Sequence, residues 1–340
     1  MKLIIMYILL GCVWGCGEPE GYRFTMKGRV PGMKYGTVFI RSNDADSRVL
    51  ASAELENYEF NMKGELAEPG CYVLQVNDVK KVVVLDGREL VAEFTGERGA
   101  SLKALKGSPA QECLKKHDAF IREGVDNEHE KRNLSEVRFE RTCAFIAEHP
   151  DNIASAFIAT KEMGDEYEKG IKMYGLLSER VRQLEIGKVL QRKLERAERS
   201  AVGRKFPEIE VCSIEGDTLM LKEWSGSVSV VDFWASWCGP CRKELQHLKA
   251  LYKELEGKGV KFVSVSLDNS PKAWVRADEE EQLPWLSVRN LHGFDRKAGI
   301  CKELDIKSIP FIVVLDKDGA IVAKSLMGEA LRDKLSELLK

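Results

Sequence analysis

From Tyr22 to Phe94 the chain runs in short segments of aromatic and β-branched residues: YRFTMKGRV, TVFIR, YEFNM, CYVLQV, KVVVLD and ELVAEF. Several alternate with a period of two, as Tyr22, Phe24 and Met26 do, which is the signature of a half-buried strand. Turn formers separate the runs: Pro31-Gly32, Asn43-Asp44, Pro69-Gly70, Asn77-Asp78 and Asp86-Gly87. Short strands at such intervals predict an all-β domain over residues 20–105, a small antiparallel sandwich, with a barrel as the alternative.

After Ser108 the period lengthens. Glycine thins out, charge rises, and apolar residues recur at helical spacing, as in Phe139, Cys143 and Ile146. Ser108-Pro109 suits a helix start. His149-Pro150 breaks the pattern and offers Asp151 as the cap of the next helix. The charged stretch from Tyr167 to Ser200 predicts one or two amphipathic helices with a solvated face. Residues 106–200 therefore read as a helical spacer.

A third pattern begins at Val202. EVCSI and LMLKEW flank Glu215-Gly216-Asp217 as a hairpin. VSVVDFW and KFVSVSL are continuous apolar runs, as in strands covered on both faces. Helices are predicted from Cys238 to Glu256, from Pro271, over Asp295–Leu304 and over Glu329–Leu339. FIVVLD and AIVAKS, joined at Lys317-Asp318-Gly319, form a strand–turn–strand. Strand–helix–strand units followed by a hairpin and a helix predict an α/β domain over residues 202–340.

The first residues change the compartment. MKLIIMYILLGCVWGCGEPEG carries a positive charge at Lys2, then an apolar run too short to span a bilayer, then a small residue before cysteine. This resembles a bacterial lipoprotein signal over residues 1–16. It makes Cys16 the expected lipidated residue, with Cys12 as the competing position. The expected location is the envelope of a Gram-negative bacterium, facing the periplasm or on the surface, with a lipid anchor to a membrane.

The formal net charge of −2 on 340 residues points to no nucleic-acid partner. The 44% apolar content is ample for sizeable cores. There are nine cysteines. Setting aside Cys12, Cys16, Cys238 and Cys241 leaves Cys71, Cys113, Cys143, Cys212 and Cys301. That odd number argues against a fully paired framework, and buried filler is the expected role.

Chemistry concentrates in VVDFWASWCGPCRKEL, where Gly239 and Pro240 separate Cys238 from Cys241. Cys238 falls where a strand passes into a helix. Unpaired N–H groups and the helix dipole there stabilise a thiolate. Cys238 is therefore the expected exposed nucleophile. Cys241, one turn deeper on the same face, is the expected resolving thiol. A structural zinc site needs four ligands, and the scattered histidines supply no second pair, so no metal is expected. Exchange between sulfurs calls for no cofactor.

The same segment resembles the active-site run of the thioredoxin superfamily, and within it the TlpA/ResA-like thiol:disulfide oxidoreductases of the cell envelope. The resemblance covers about residues 202–340. The β-rich and helical regions ahead of it resemble, by arrangement, those of Gram-negative envelope lipoproteins. The family implies a buried acid at Asp232 that assists proton transfer from the resolving thiol, and an acid near the pair at Glu244. It implies a substrate-docking surface of Trp237, Gly239, Pro240 and the cis-proline loop Ile309-Pro310. It further implies protein disulfides as substrates, apocytochrome c thiols among them, and a membrane electron donor that recharges the pair. Gly-Pro between the cysteines matches reducing members. A peroxidase would need Thr or Ser where Ala235 stands. A scaffold lipoprotein, with function carried by the β domain, is the reading from another class.

Overall fold

The computed structural model describes residues 21–96, 101–127, 134–221 and 226–340; Cys12, Cys16 and the expected signal segment lie outside them. The described residues up to Ile158, together with Leu177–Lys188, form one compact unit. Ala159–Leu176 with Val189–Lys340 form a second. The segment expected as a spacer thus contributes helices to both.

The first unit holds eight strands: β1 (Tyr22–Arg29), β2 (Tyr35–Ser42), β3 (Val49–Glu56), β4 (Glu59–Leu66), β5 (Gly70–Val76), β6 (Val79–Leu85), β7 (Glu89–Thr95) and β8 (Ser101–Lys106). They form one continuous sheet in the order β6-β5-β2-β3-β4-β1-β7-β8. Residues from all eight strands share a single core that includes Met26, Ile40, Leu55, Met62, Leu74, Leu85, Leu90 and Leu105. The expected antiparallel sandwich is corrected here. The sheet is unbroken, and β1 pairs parallel with β7, Met26 opposite Leu90. Alternation assigns each side chain a face and says nothing of a strand's neighbour or direction. Gly28 permits this pairing, since a Cβ there would lie 2.7 Å from the Ala92 carbonyl oxygen. Two strands lack the aromatic and β-branched signature. VLASAELE (β3) is rich in alanine and glutamate, and SLKALK (β8) is an edge strand paired only with β7.

Helix α1 (Pro109–Asn127) packs on β6, and α2 (Leu134–Glu148) packs on α1. The Ser108 hydroxyl accepts the Gln111 N–H at 3.1 Å, and Asp86 accepts the Ala110 N–H at 2.9 Å, so two side chains satisfy the first turn. Helix α3 (Ile153–Glu162) is capped by Asn152, which accepts the Ala154 N–H at 2.9 Å. Asp151, expected as that cap, instead accepts from the Ser178 hydroxyl and the Arg180 guanidinium. The charged stretch after Tyr167 forms three helices, α4 (Tyr167–Leu176), α5 (Glu179–Gln183) and α6 (Glu185–Arg199).

The second unit is built on a seven-stranded sheet. Its strands are β9 (Ile209–Cys212), β10 (Thr218–Leu221), β11 (Val228–Trp234), β12 (Val260–Ser266), β13 (Leu286–Asn290), β14 (Phe311–Leu315) and β15 (Ile321–Lys324). The order is β10-β9-β13-β12-β11-β14-β15. Its helices are α7 (Gly239–Glu254), α8 (Pro271–Glu281), α9 (Gly299–Glu303) and α10 (Gly328–Leu338). Strand β11 is central, parallel to β12 and antiparallel to β14, and every one of its residues is buried. Val228, Val230 and Trp234 point to one face, where α7, α8 and α10 pack; Val231 and Phe233 point to the other, with Ile300 and Cys301 of α9. The short strand LSVRN, β13, was not expected, because Ser, Arg and Asn interrupt its apolar pattern. Helix α9 is only the last part of the helix expected over Asp295–Leu304.

Candidate active site

Strand β11 ends at Trp234, and after Ala235, Ser236 and Trp237 the chain enters α7 through Cys238. Cys238 is the N-cap of that helix, and its sulfur accepts the Cys241 N–H at 3.2 Å. The two sulfurs are joined as a disulfide across the first turn, with Cα atoms 5.3 Å apart. Pro240 sits in the first turn, where it forfeits no helical hydrogen bond. Cys238 was expected to be exposed. In this oxidised state it is only 5% exposed, against 1% for Cys241; its sulfur is bonded to Cys241 and the residue belongs to the core cluster that holds Cys241 and Leu245. It remains the less buried of the two cysteines.

Around the pair, Gly239 and Pro240 are exposed at the helix tip, and a Cβ added at Gly239 would meet nothing within 4 Å. Trp237 is 59% exposed, its ring 6.0 Å from that of Phe294. The Ile309–Pro310 peptide bond is cis. Phe233 of β11 pairs with Phe311 of β14, so Pro310 lies level with Trp234, at the end of the sheet from which the chain leads to Cys238. The Ile309 side chain packs on the core cluster that contains both cysteines.

Asp232 shares its strand face with Val230 and Trp234, which pack with the cysteines. Its carboxyl is 3% exposed and accepts the Ser264 hydroxyl at 3.2 Å. Burial pushes its pKa up from 3.8 to about 7; the Ser264 hydrogen bond opposes that shift and the charge of Glu244 adds to it. Glu244 lies on the buried side of α7 with Cys241 and Leu245. One carboxylate oxygen accepts the Gly328 N–H at 3.0 Å and the other meets His247 Nδ1 at 3.0 Å. The structure therefore brings Asp232, Cys238, Cys241 and Pro310 to one end of the sheet. Glu244 acts on Asp232 through its charge.

Several neighbours escaped the sequence reading. Asp268, 1% exposed, accepts the Ser236 N–H at 2.8 Å, the Ser236 hydroxyl at 2.6 Å and the Ser266 hydroxyl at 2.8 Å. It thereby fixes the loop that presents Trp237 and Cys238. Ser264 and Ser266 were the available signal: a fully buried strand that carries serine must bond it. Asp268 follows the end of β12, the parallel neighbour of β11, by two residues, so it emerges beside the same loop. The remaining described cysteines, Cys71, Cys113, Cys143, Cys212 and Cys301, form no disulfide. Burial pushes the thiols of Cys71 and Cys301 up to about 12 and that of Cys113 to about 11, which keeps them protonated and poorly nucleophilic.

The redoxin family profile matches residues 201–339. The thiol-disulfide oxidoreductase ResA of Bacillus thuringiensis is 27% identical over 143 residues, covering 42% of this chain and 79% of that protein. The sporulation thiol-disulfide oxidoreductase A of Bacillus subtilis is 30% identical over 125 residues, covering 37% of this chain and 73% of that protein. Among solved structures, the thioredoxin domain of a thiol-disulfide oxidoreductase from Bacteroides vulgatus is 29% identical. It covers 41% of this chain and 99% of that one, with a TM-score of 0.38.

Proposed function

The chain belongs to the thiol–disulfide oxidoreductase family, with a redoxin domain over residues 201–339, and from that premise we propose that it reduces disulfides of bacterial envelope proteins through Cys238 and Cys241. One observation carries the reading: the two sulfurs are bonded across the first turn of α7, beside an exposed tryptophan and the Ile309–Pro310 loop.

In the reduced protein both residues are thiols. The Cys238 thiolate, favoured by the helix N-terminus, attacks one sulfur of a substrate disulfide. A mixed disulfide forms and a substrate thiolate leaves, to be protonated from solvent. Cys241 then gives its proton to Asp232 and attacks the Cys238 sulfur, displacing the second substrate thiolate. Two electrons and two protons pass to the substrate, and the protein is left with its own disulfide. Asp232, buried and with a raised pKa, is suited to take that proton near neutral pH and to release it afterwards.

Gly239 and Pro240 present little bulk, so an extended substrate strand can lie across the helix tip. The Ile309 backbone bonds that strand, and the Trp237 ring packs on it. A membrane-bound dithiol donor returns two electrons to the pair after each cycle. The lipoprotein-like start of the sequence supports an envelope location with Cys16 as the lipidated residue. Apocytochrome c thiols held as disulfides are one substrate class that the TlpA/ResA-like resemblance supports.

The test is trapping in the native host. Cys241→Ser leaves the Cys238–substrate disulfide without its resolving thiol, so mixed disulfides should accumulate on non-reducing gels and name the substrates. Cys238→Ser should trap nothing. Equal patterns for the two variants would reject the exchange reading.

A further inference from the structure

Asp232 ends a chain of hydrogen bonds that reaches across β12 to the indole of Trp285. Trp285 Nε1–H donates to the Ser264 hydroxyl oxygen at 2.9 Å, and the Ser264 hydroxyl donates to Asp232 Oδ2 at 3.2 Å. Ser264 is fully buried and stands opposite Asp232 in the β11–β12 register. An indole N–H can only donate. It therefore occupies the serine oxygen as an acceptor and leaves the single hydroxyl hydrogen for the carboxylate. The indole is itself held in place. Its ring packs against Phe262 of β12 at 5.3 Å and Tyr252 of α7 at 5.2 Å, and those two rings are 5.4 Å apart.

The other surroundings of Asp232 give its ionised form little support. Strand β14 places the apolar Ile312 opposite it, and α7 brings the negative charge of Glu244. The Ser264 hydroxyl from β12 is the side-chain donor to this carboxylate. We infer that Ser264, aimed by Trp285, is the positioning residue that sets how readily Asp232 ionises. The consequence for exchange rests on the reading of Asp232 as the acceptor of the Cys241 proton. Without the serine bond a smaller share of the carboxyl would be ionised at neutral pH, and fewer molecules could take the proton from the thiol. With it, both protonation states are accessible in the range where exchange must run.

The inference is tested on the full chain, oxidised, by following the Asp232 carboxyl carbon by ¹³C NMR across pH. This reads its proton affinity whether or not exchange depends on it. Ser264→Ala should move the midpoint up by about one pH unit, the size expected for a lost hydrogen bond to a charged group. Trp285→Phe keeps the ring cluster and removes only the donor; it should move the midpoint the same way by less. It also serves if the alanine variant does not fold. A wild-type midpoint in a folded Ser264→Ala protein, or in Trp285→Phe should the alanine variant not fold, would overturn the inference. The Asp232 reading fails separately, if Asp232→Asn reduces a protein disulfide with the wild-type pH profile.

Discussion

Glu244 accepts the backbone N–H of Gly328 at 3.0 Å, and so ties the helix that carries Cys241 to the start of the closing helix. Gly328 begins α10, and its N-cap, Met327, makes no side-chain cap bond. A buried carboxylate from another helix therefore serves that helix terminus, where a negative charge is favourable. Glu244→Ala should lower the unfolding free energy by about 1–2 kcal/mol, because it removes a hydrogen bond to a buried carboxylate and leaves the half-buried Gly328 N–H without it. Glu244→Gln keeps an acceptor and should recover most of that loss in urea titrations. The glutamine variant has a second effect of known sign. The charge of Glu244 raises the Asp232 pKa, so neutralising it should lower the Asp232 titration midpoint. A midpoint unmoved in Glu244→Gln would show that the two carboxyls do not sense each other.

Asp268 should matter as much to folding as any residue of the sulfur pair's surroundings. It is the shared acceptor for the Ser236 N–H, the Ser236 hydroxyl and the Ser266 hydroxyl. Asp268→Ala strands the buried Ser266 hydroxyl and the two half-buried donors of Ser236, and should cost about 3 kcal/mol. Because Ser236 lies two residues before Cys238, the loss should also loosen the loop. Hydrogen exchange at Trp237 and Cys238 should accelerate more than exchange in β14. Equal protection at both places would separate Asp268 from the presentation of the cysteines.

Trp237 is predicted to act on docking and hardly on stability. Its ring is more than half exposed beside Cys238 and rests on Phe294. Truncating an aromatic anchor at a contact surface costs on the order of 1.4 kcal/mol, or about tenfold in affinity. Trp237→Ala should therefore raise KM for a protein disulfide about tenfold, with a melting temperature close to wild type. A large fall in melting temperature would reassign the ring to packing.

The elements around the sulfurs were legible because local pattern and tertiary role agree there. The apolar runs of β11 and β12 and the strand-to-helix turn at Cys238 each carry their own signal. The pairing of Asp232 with Ser264 did not, since a serine in an apolar run shows that it must be bonded and leaves its partner open. Glu244 read as an acid near the pair, yet its bond to Gly328 joins positions far apart in the chain. The β unit was legible strand by strand, but the parallel β1–β7 pairing depends on which strands meet, and alternation does not carry that. The middle helices were visible by period. Asp151, following Pro150, reads as a cap from the sequence, and Asn152, one residue closer to α3, holds that place.

The raised pKa of Asp232 makes stability depend on pH in a direction opposite to that of a paired surface carboxylate. In the unfolded chain the carboxyl titrates near its ordinary 3.8, whereas in the fold it titrates at about 7. Between these values the native state holds a proton that the unfolded state has released. Stability from this group is therefore greatest below the unfolded pKa and falls as pH rises through the window. The slope is about 1.4 kcal/mol per pH unit, and the total loss at most about 4 kcal/mol. Above about pH 7 both states are ionised and the loss levels off. Asp232→Asn cannot ionise, so it escapes the loss while every other carboxyl contributes alike to both proteins. Urea unfolding of the oxidised forms should find the variant's advantage over wild type growing from about pH 4 to about pH 7, then constant. A difference that stays flat across that range would mean that Asp232 ionises in the native protein as readily as in the unfolded chain.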